Sequence, residues 1–169
     1  MELIAGKELR RRLALDPPLL SGLVDPDVQL QMNGVDLTLA AVGRWENGPG
    51  RVDFDNSGRR IPSPSPLLPA DDGVFRLPPG PYWVRYNETV HIPADVFAIG
   101  RTRSSLLRSG AQIGTALWDS GYSGQSGSLL TVHHPAGLEL TADARVLQLV
   151  FFRLAEPADA TYRGIFQNE

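Results

Sequence analysis

Apolar residues in this chain alternate with polar ones over short runs, and only one segment keeps a helical period. Successive strand side chains point to opposite faces, so such alternation belongs to half-buried strands. Val35-Asp-Leu-Thr-Leu39 repeats with a period of two, and Tyr82-Trp-Val-Arg-Tyr86 is aromatic and β-branched. Leu129-Leu-Thr-Val132 and Val146 to Phe152 are short apolar runs between turn signals. The 17 glycines and 14 prolines exceed the usual ~12% share and supply those turns. This pattern predicts an all-β sandwich or barrel. The exception is Lys7 to Leu15, where Leu9 and Leu13 stand at i, i+4 and Asp16-Pro17-Pro18 ends the helix.

A length of 169 residues suits one domain. With 42% hydrophobic and 21% charged residues the chain can bury an ordinary core. A net charge of −3 offers no pull toward a nucleic-acid backbone or an anionic membrane. No apolar run reaches the ~18–20 residues of a membrane span, and no signal-peptide core opens the chain, so a cytoplasmic location is expected. Cysteine is absent, which excludes disulfides, thiolate nucleophiles and iron–sulfur ligation. The chemistry must use oxygen and nitrogen groups. Two segments read as irregular. Residues 43–73, with Pro62, Pro64 and Pro66 at alternate positions, form a long excursion with hairpin character from Arg51 to Phe54, either functional or merely variable. Ser120 to Ser128 is a linker by composition, although Trp118-Asp119 before it and Tyr122 within it argue otherwise.

Several short segments can carry chemistry. In Gly100-Arg-Thr-Arg-Ser-Ser-Leu-Leu-Arg-Ser-Gly110, Ser104 can open a short helix whose free N–H groups, with Arg103 and Arg108, would hold an anion. The same residues also read as a capped surface helix with solvated arginines. In Trp118-Asp119-Ser-Gly-Tyr122, an acid between an indole and a tight turn can be partly desolvated and act as a general base, while Tyr122 stacks on a ring or sugar. The alternative there is an ordinary Asx-turn between two core aromatics. Asp36, an acid on an apolar strand, either needs an arginine or hydrated-metal partner or faces solvent. Gln148 lies within the apolar Arg145-Val-Leu-Gln-Leu149 and can read a nucleotide or satisfy neighbouring backbone. Adjacent His133 and His134 point to opposite faces, so a shared metal is disfavoured; one is expected to pack and the other to face out.

In order, Gly34-Val-Asp-Leu-Thr, Arg103-Ser-Ser-Leu, Asp119-Ser-Gly-Tyr, Arg145-Val-Leu-Gln-Leu and Tyr162-Arg-Gly-Ile-Phe-Gln167 resemble the dUTPase and dCTP deaminase superfamily over roughly residues 30–167. The N-terminal helix, the 43–73 excursion and the terminal motif are most similar to its deaminase-like branch of archaeal-type dUTPases. The resemblance implies one domain over 1–169, a distorted β-barrel or jelly roll with a short N-terminal helix and one short internal helix. Residues 1–18 would be the helical segment and 157–169 a segment covering the nucleotide. It further implies a homotrimer with sites between subunits, magnesium on a dUTP substrate, and no nucleic-acid or membrane partner. Arg103, Ser104 and Ser105 match the phosphate-binding motif, with Arg108 from its deaminase version. Asp119 matches the acid that holds the attacking water, and Tyr122 the aromatic against deoxyribose. Gln148 matches a nucleotide contact, and Asp36 an acid near the hydrated metal, acting through water. Tyr162 and Gln167 match residues closing over the phosphates, while Gly114, Thr115 and the following turn would read uracil through backbone groups.

Two reactions share that scaffold. Metal-free deaminases need a glutamate late in the strand after Asp119, expected here at Thr131, give or take one, and no acid occurs from Ser120 to Leu138. Hydrolysis of dUTP to dUMP and pyrophosphate is therefore the expected activity. A dCTP deaminase, or a bifunctional enzyme, is the nearest alternative, and a non-catalytic anion-binding jelly roll the alternative of another class.

Overall fold

The computed structural model describes residues 1–45 and 48–168. Positions 46 and 47 of the 43–73 segment, and 169 at the end of 157–169, lie outside the described residues. In chain order the elements are β1 (Glu2–Ile4), α1 (Gly6–Leu13), β2 (Leu20–Ser21), α2 (Pro26–Gln29), β3 (Leu30–Gln31), β4 (Gly34–Arg44), β5 (Ser65–Leu67) and β6 (Val74–Leu77). There follow β7 (Gly80–His91), β8 (Val96–Thr102), α3 (Ser104–Arg108), β9 (Ala111–Gly114), β10 (Ser123–Val132), β11 (Leu138–Thr141) and β12 (Arg145–Arg153).

In β7 the alternation seen in the sequence is the alternation of burial, whereas β4 is buried on both faces from Gly34 to Leu39. Tyr82, Val84 and Tyr86 of β7 point inward and are fully buried, as are Val35, Leu37 and Leu39 of β4 and Leu147, Leu149 and Phe151 of β12. Burying each such side chain contributes roughly 1.5–3 kcal/mol. The strands pair antiparallel in the order β1-β12-β4-β7-β10-β9, with β8 on β12, β2 on β7, and β3 and β5 on β4; β6 and β11 make a separate ribbon. The curled sheet is the all-β, barrel-like architecture expected. The sequence runs do not single out β1, β2, β3, β5, β6, β8, β9 and β11, and one helix was missed: α2, a single turn started by Asp25, whose carboxylate accepts from the N–H groups of Asp27 and Val28. Its four residues are too few to show a period.

The serine–glycine stretch is also different from its composition. Ser123 to Ser128 is strand, paired with β7 from Ser123↔His91 to Ser128↔Val84. Glycine is needed there for closeness: a Cβ on Gly127 would lie 2.4 Å from Trp83 Nε1. Both His133 and His134 are exposed, since the two backbone N–H groups donate to Gly110 and hold the pair on the surface. Within 43–73, Arg51 bridges Arg60 and β5 returns to pair with β4, so the excursion is tied to the sheet. Among the described residues no helix is long and apolar enough to cross a membrane.

Helix α1 spans part of the expected Lys7–Leu15 region, burying Leu9 against the core. Arg12 fastens it: Nη1 and Nη2 donate to Asp95 at 3.3 and 2.8 Å, and Nε donates to Glu8 at 2.9 Å. Glu8 also accepts from Arg11 and Arg153. With Arg12 largely buried, its truncation leaves Asp95 without its hydrogen-bonded guanidinium and removes one of three from Glu8, a cost of about 2 kcal/mol. We expect Arg12→Ala to lower the urea midpoint accordingly without changing the β-sheet spectrum. Hydrogen bonds from Arg11 and Arg12 hold the Glu8 carboxyl down at about 2. Because the folded value is depressed, Glu8 stabilises the fold above the ordinary carboxylate range, and that contribution is lost as pH falls toward 2. Urea titrations from pH 5 to 2 should show a shallower decline in Glu8→Gln than in the unsubstituted chain.

Candidate active site

Asp119 to Tyr122 forms a β-turn closed by Tyr122 N–H donating to Asp119 C=O at 3.1 Å, with Gly121 at φ +87 in the third position. Backbone pairs hold it on both sides. Trp118 exchanges two hydrogen bonds with Ala98 of β8, while Gly121 N–H donates to Ile92 C=O and Ile92 N–H to Tyr122 C=O, each at 2.8 Å. Ser120 Oγ donates to Val96 C=O at 2.6 Å. The aromatic pair is fixed through one hydroxyl: Trp118 Nε1 donates to Ser126 Oγ at 2.6 Å, and Ser126 Oγ donates to Tyr122 Oη at 3.1 Å. Both rings are buried.

The expected desolvation of Asp119 is not what this arrangement produces. The turn buries its neighbours and leaves the Asp119 side chain exposed, and the turn is closed by the backbone carbonyl, not by an Asx bond. Its carboxylate therefore accepts no hydrogen bond or ion pair from any described residue. It lines a cleft of about 970 Å³. The strand pair β9–β10 forms one wall; it is paired from Leu129↔Gly114 to Val132↔Ala111 and parts beyond, so backbone groups of residues 115–117 are left without partners among the described residues. Trp83 and Arg85 of β7, Pro62 and Pro64 of the excursion, and Tyr162 complete the lining. Asp119 is the sole carboxylate and Arg85 the sole guanidinium among the described lining residues.

The C-terminal segment lies against the same turn. Tyr162 N–H donates to Ser120 C=O at 2.7 Å, its ring meets Tyr122 edge-on with centroids 5.5 Å apart, and Thr161 packs where a Gly121 Cβ would stand. Gln167 spends its carboxamide on this chain's backbone, accepting from Ser123 N–H and donating to Gly121 C=O at 3.0 Å.

The arginine–serine residues form a second cluster. Helix α3 starts at Ser104 and Gly110 ends the segment at φ +75, with Ser104, Ser105 and Arg108 exposed. Arg103 does not point freely outward: its Nε lies 2.9 Å from Asp36 Oδ2, and its Nη1 donates to Arg145 C=O. Arg145 Nη1 approaches the same Asp36 oxygen at 3.2 Å. Asp36 is 1% exposed, and burial pushes its carboxyl up against the pull of Arg103 and Arg145. Its partner is thus arginine, the first of the two options its position left open. Gln148 pairs with Asp36 across the strands and with Arg101 on the other side, its amide making no hydrogen bond to a described residue. No group of three His, Asp or Glu side chains among the described residues is placed to hold a metal.

Within one chain these clusters are apart. The Trp118 bridge to Ala98 sets Asp119 beside Phe97, and Arg103 follows six residues further along β8, about 20 Å at strand rise. Gly114, Asp119, Tyr122 and Tyr162 line the cleft; Arg103, Ser104, Ser105, Arg108, Gln148 and Asp36 do not, nor do Thr115 and Gln167. Sequence reading missed Arg85 and Trp83, since on an alternating strand only register tells which face meets a cleft. The deaminase position was expected at Thr131, give or take one; the part of β10 that lines the cleft runs from Gln125 to Leu129.

A family model described as dCTP deaminase-like matches residues 4–154. The probable deoxyuridine 5'-triphosphate nucleotidohydrolase of Methanosarcina mazei is 46% identical over 169 residues, covering 100% of this chain and 98% of that protein. The protein of the same name from Methanococcoides burtonii is 45% identical, covering 100% and 99%, and that from Archaeoglobus fulgidus is 41% identical, covering 100% and 98%. Among solved structures, the 2'-deoxycytidine 5'-triphosphate deaminase of Agrobacterium tumefaciens superposes with a TM-score of 0.65 at 21% identity, over 89% of this chain and 48% of that one, a likeness of fold. A match over nearly the whole length, joined to relatives more than 40% identical from end to end, means that this chain belongs to the dCTP deaminase-like family.

Proposed function

We propose that the chain hydrolyses dUTP to dUMP and pyrophosphate. The observation that carries this reading is Asp119: one unpaired carboxylate, on a turn fixed at both ends, and no second acid among the described cleft residues. Its full-length relatives carrying the name of that activity support it. Deamination needs a group that moves protons between water and the 4-amino nitrogen, and the β10 residues that line the cleft, Gln125 to Leu129, include no acid. A passive anion holder gains nothing from a carboxylate beside a triphosphate.

Asp119 holds a water and takes its proton as the water oxygen bonds to the α-phosphorus; the bond to the bridging oxygen breaks and pyrophosphate departs. Tyr122 packs against the deoxyribose. Uracil enters where the arms of β9 and β10 part, its polar edge facing backbone groups from Gly114 and Thr115 to the turn, and Tyr162 lies over the same turn. Magnesium travels on the triphosphate as part of the substrate, where it neutralises phosphate charge; Asp36, closed between two arginines, is not free to ligate it and instead steadies Arg103. Gln148 stands beside that pair as a further nucleotide contact.

The separation of the two clusters is best met by a homotrimer, in which the Arg103, Ser104, Ser105 and Arg108 side of one copy faces the Asp119 cleft of the next. Gln167, already spent on Gly121 and Ser123, then orders the turn, and Tyr162 alone of the terminal pair meets the cleft.

Phosphorus NMR should show pyrophosphate from dUTP, and dCTP should release no ammonia; ammonia release would make the enzyme a deaminase. Asp119→Asn should lower kcat about a thousandfold while dUTP still binds. Chains carrying Asp119→Asn and chains carrying Arg103→Ala, each inactive alone, should regain turnover when co-expressed, because some sites then combine two intact halves. Failure to complement would place both halves in one chain.

A further inference from the structure

Arg85 has no counterpart among the motifs that carry the family resemblance, yet it is the one guanidinium among the described residues of the cleft. Its surroundings are built. The β7–β10 register slips between Gln125↔Thr89 and Gly127↔Arg85, so Arg85 stands between a glycine on β10 and the small Ala41 on β4. Trp83 packs against that glycine from the neighbouring position. Arg85 Nη2 donates to Gln125 Oε1 at 2.5 Å, and Gln125 Nε2 donates to Asn87 C=O at 3.1 Å. The second bond decides which end of the amide faces the arginine, so Gln125 aims the fork. A guanidinium carries five N–H donors and no acceptor. One is engaged; the other four have no partner among the described residues, and no ion pair joins Arg85 to Asp119.

We infer that Arg85 reads the pyrimidine ring, donating to the 4-carbonyl oxygen of uracil and thereby rejecting cytosine. The inference rests on the dUTP reading. Uracil offers only acceptors at its two exocyclic positions, whereas cytosine carries an amino donor at one of them. Donor against donor leaves both unpaired in a site closed by Trp83 and Leu129, a penalty that a backbone slot alone imposes less fully. A phosphate oxygen has the same acceptor chemistry, but position favours the base. Gly127, the partner of Arg85, lies four residues along β10 from Ser123, about 13 Å inward of the Asp119 turn. A nucleotide with its α-phosphorus at Asp119 carries its base in that direction.

The test compares Arg85→Met and Arg85→Lys with the unsubstituted chain, using dUTP turnover, dCTP inhibition and deoxyuridine binding by calorimetry. Arg85→Met should raise the dUTP KM about tenfold with kcat little changed, narrow the preference for dUTP over dCTP about tenfold, and weaken deoxyuridine by a similar factor. Arg85→Lys, which keeps charge but loses the fork, should recover part of the affinity and less of the preference. Unchanged KM and unchanged preference in a folded Arg85→Met chain would overturn the inference, as would weakened dUTP with undiminished deoxyuridine, which marks a phosphate contact. If Arg85→Met does not fold, the same readings on Arg85→Lys decide. Should the unsubstituted chain release no pyrophosphate from dUTP, the hydrolase reading fails instead, and deoxyuridine binding still reports on Arg85.

Discussion

Most of what this molecule can do depends on four backbone hydrogen bonds, two between Trp118 and Ala98 and two joining Gly121 and Tyr122 to Ile92. They grip the Asp119 turn from both flanks, so its geometry is set by the start of β8 and the end of β7 and not by the acid itself. That is why the carboxylate can be left without partners: nothing in the turn needs it. Gly121 completes the device. Its φ of +87 suits glycine, and Thr161 occupies the space where a side chain would begin, so the same residue permits the turn and seats the C-terminal segment against it. Local structure, packing and the exposed acid are one arrangement.

The elements legible in the sequence were those whose burial repeats. β4, β7 and β12 showed themselves because one face of each packs a core, and α3 because Ser104 and Gly110 mark its ends. What stayed hidden depends on partners distant in sequence. Ser123 to Ser128 has linker composition, yet Trp83, forty-four positions before Gly127, demands small residues opposite it. Asp36 as a lone acid on an apolar strand left its partner open, since Arg103 and Arg145 come to it only through the β4–β12–β8 pairing. Partial burial of Asp119 seemed to follow from the neighbouring indole, but Trp118 turns inward to Ser126 and away from the acid. Of the candidate site, the residue types were readable, whereas their division into two separate clusters was not.

That division has an electrostatic logic. Arg103 is neutralised in place by Asp36, and Arg145 shares the same oxygen, so this end of the sheet carries two cations on one buried anion. Burial works against the charge of Asp36 while the arginines favour it, and the net balance leaves the cluster attractive to an incoming polyanion. Asp119 lies some six strand residues away, far enough that the pair does not collapse into a salt bridge within the chain. Held about 20 Å apart along the strand, the acid and the cationic cluster do not cancel each other within the chain.

What β10 offers its surroundings depends on which side of the strand a residue faces. Side chains alternate along the strand: Ser128 and Leu130 are buried, while Gly127 and Leu129 open outward. An acid at Leu130 would be sealed in the core among Val84 and Val132 and carry a desolvation cost with no partner. An acid at Thr131 would face outward but inside the paired stretch of β9 and β10, opposite Pro81 and Gln112, away from the parted arms. Only position 129 lies at the point where the arms begin to separate, paired with both Gly114 and Trp83. Leucine there makes that wall of the cleft apolar, and Asp119 is the single carboxylate among the described lining residues. The period of a strand thus does more than build the core; it decides which side chains open outward and which are sealed in.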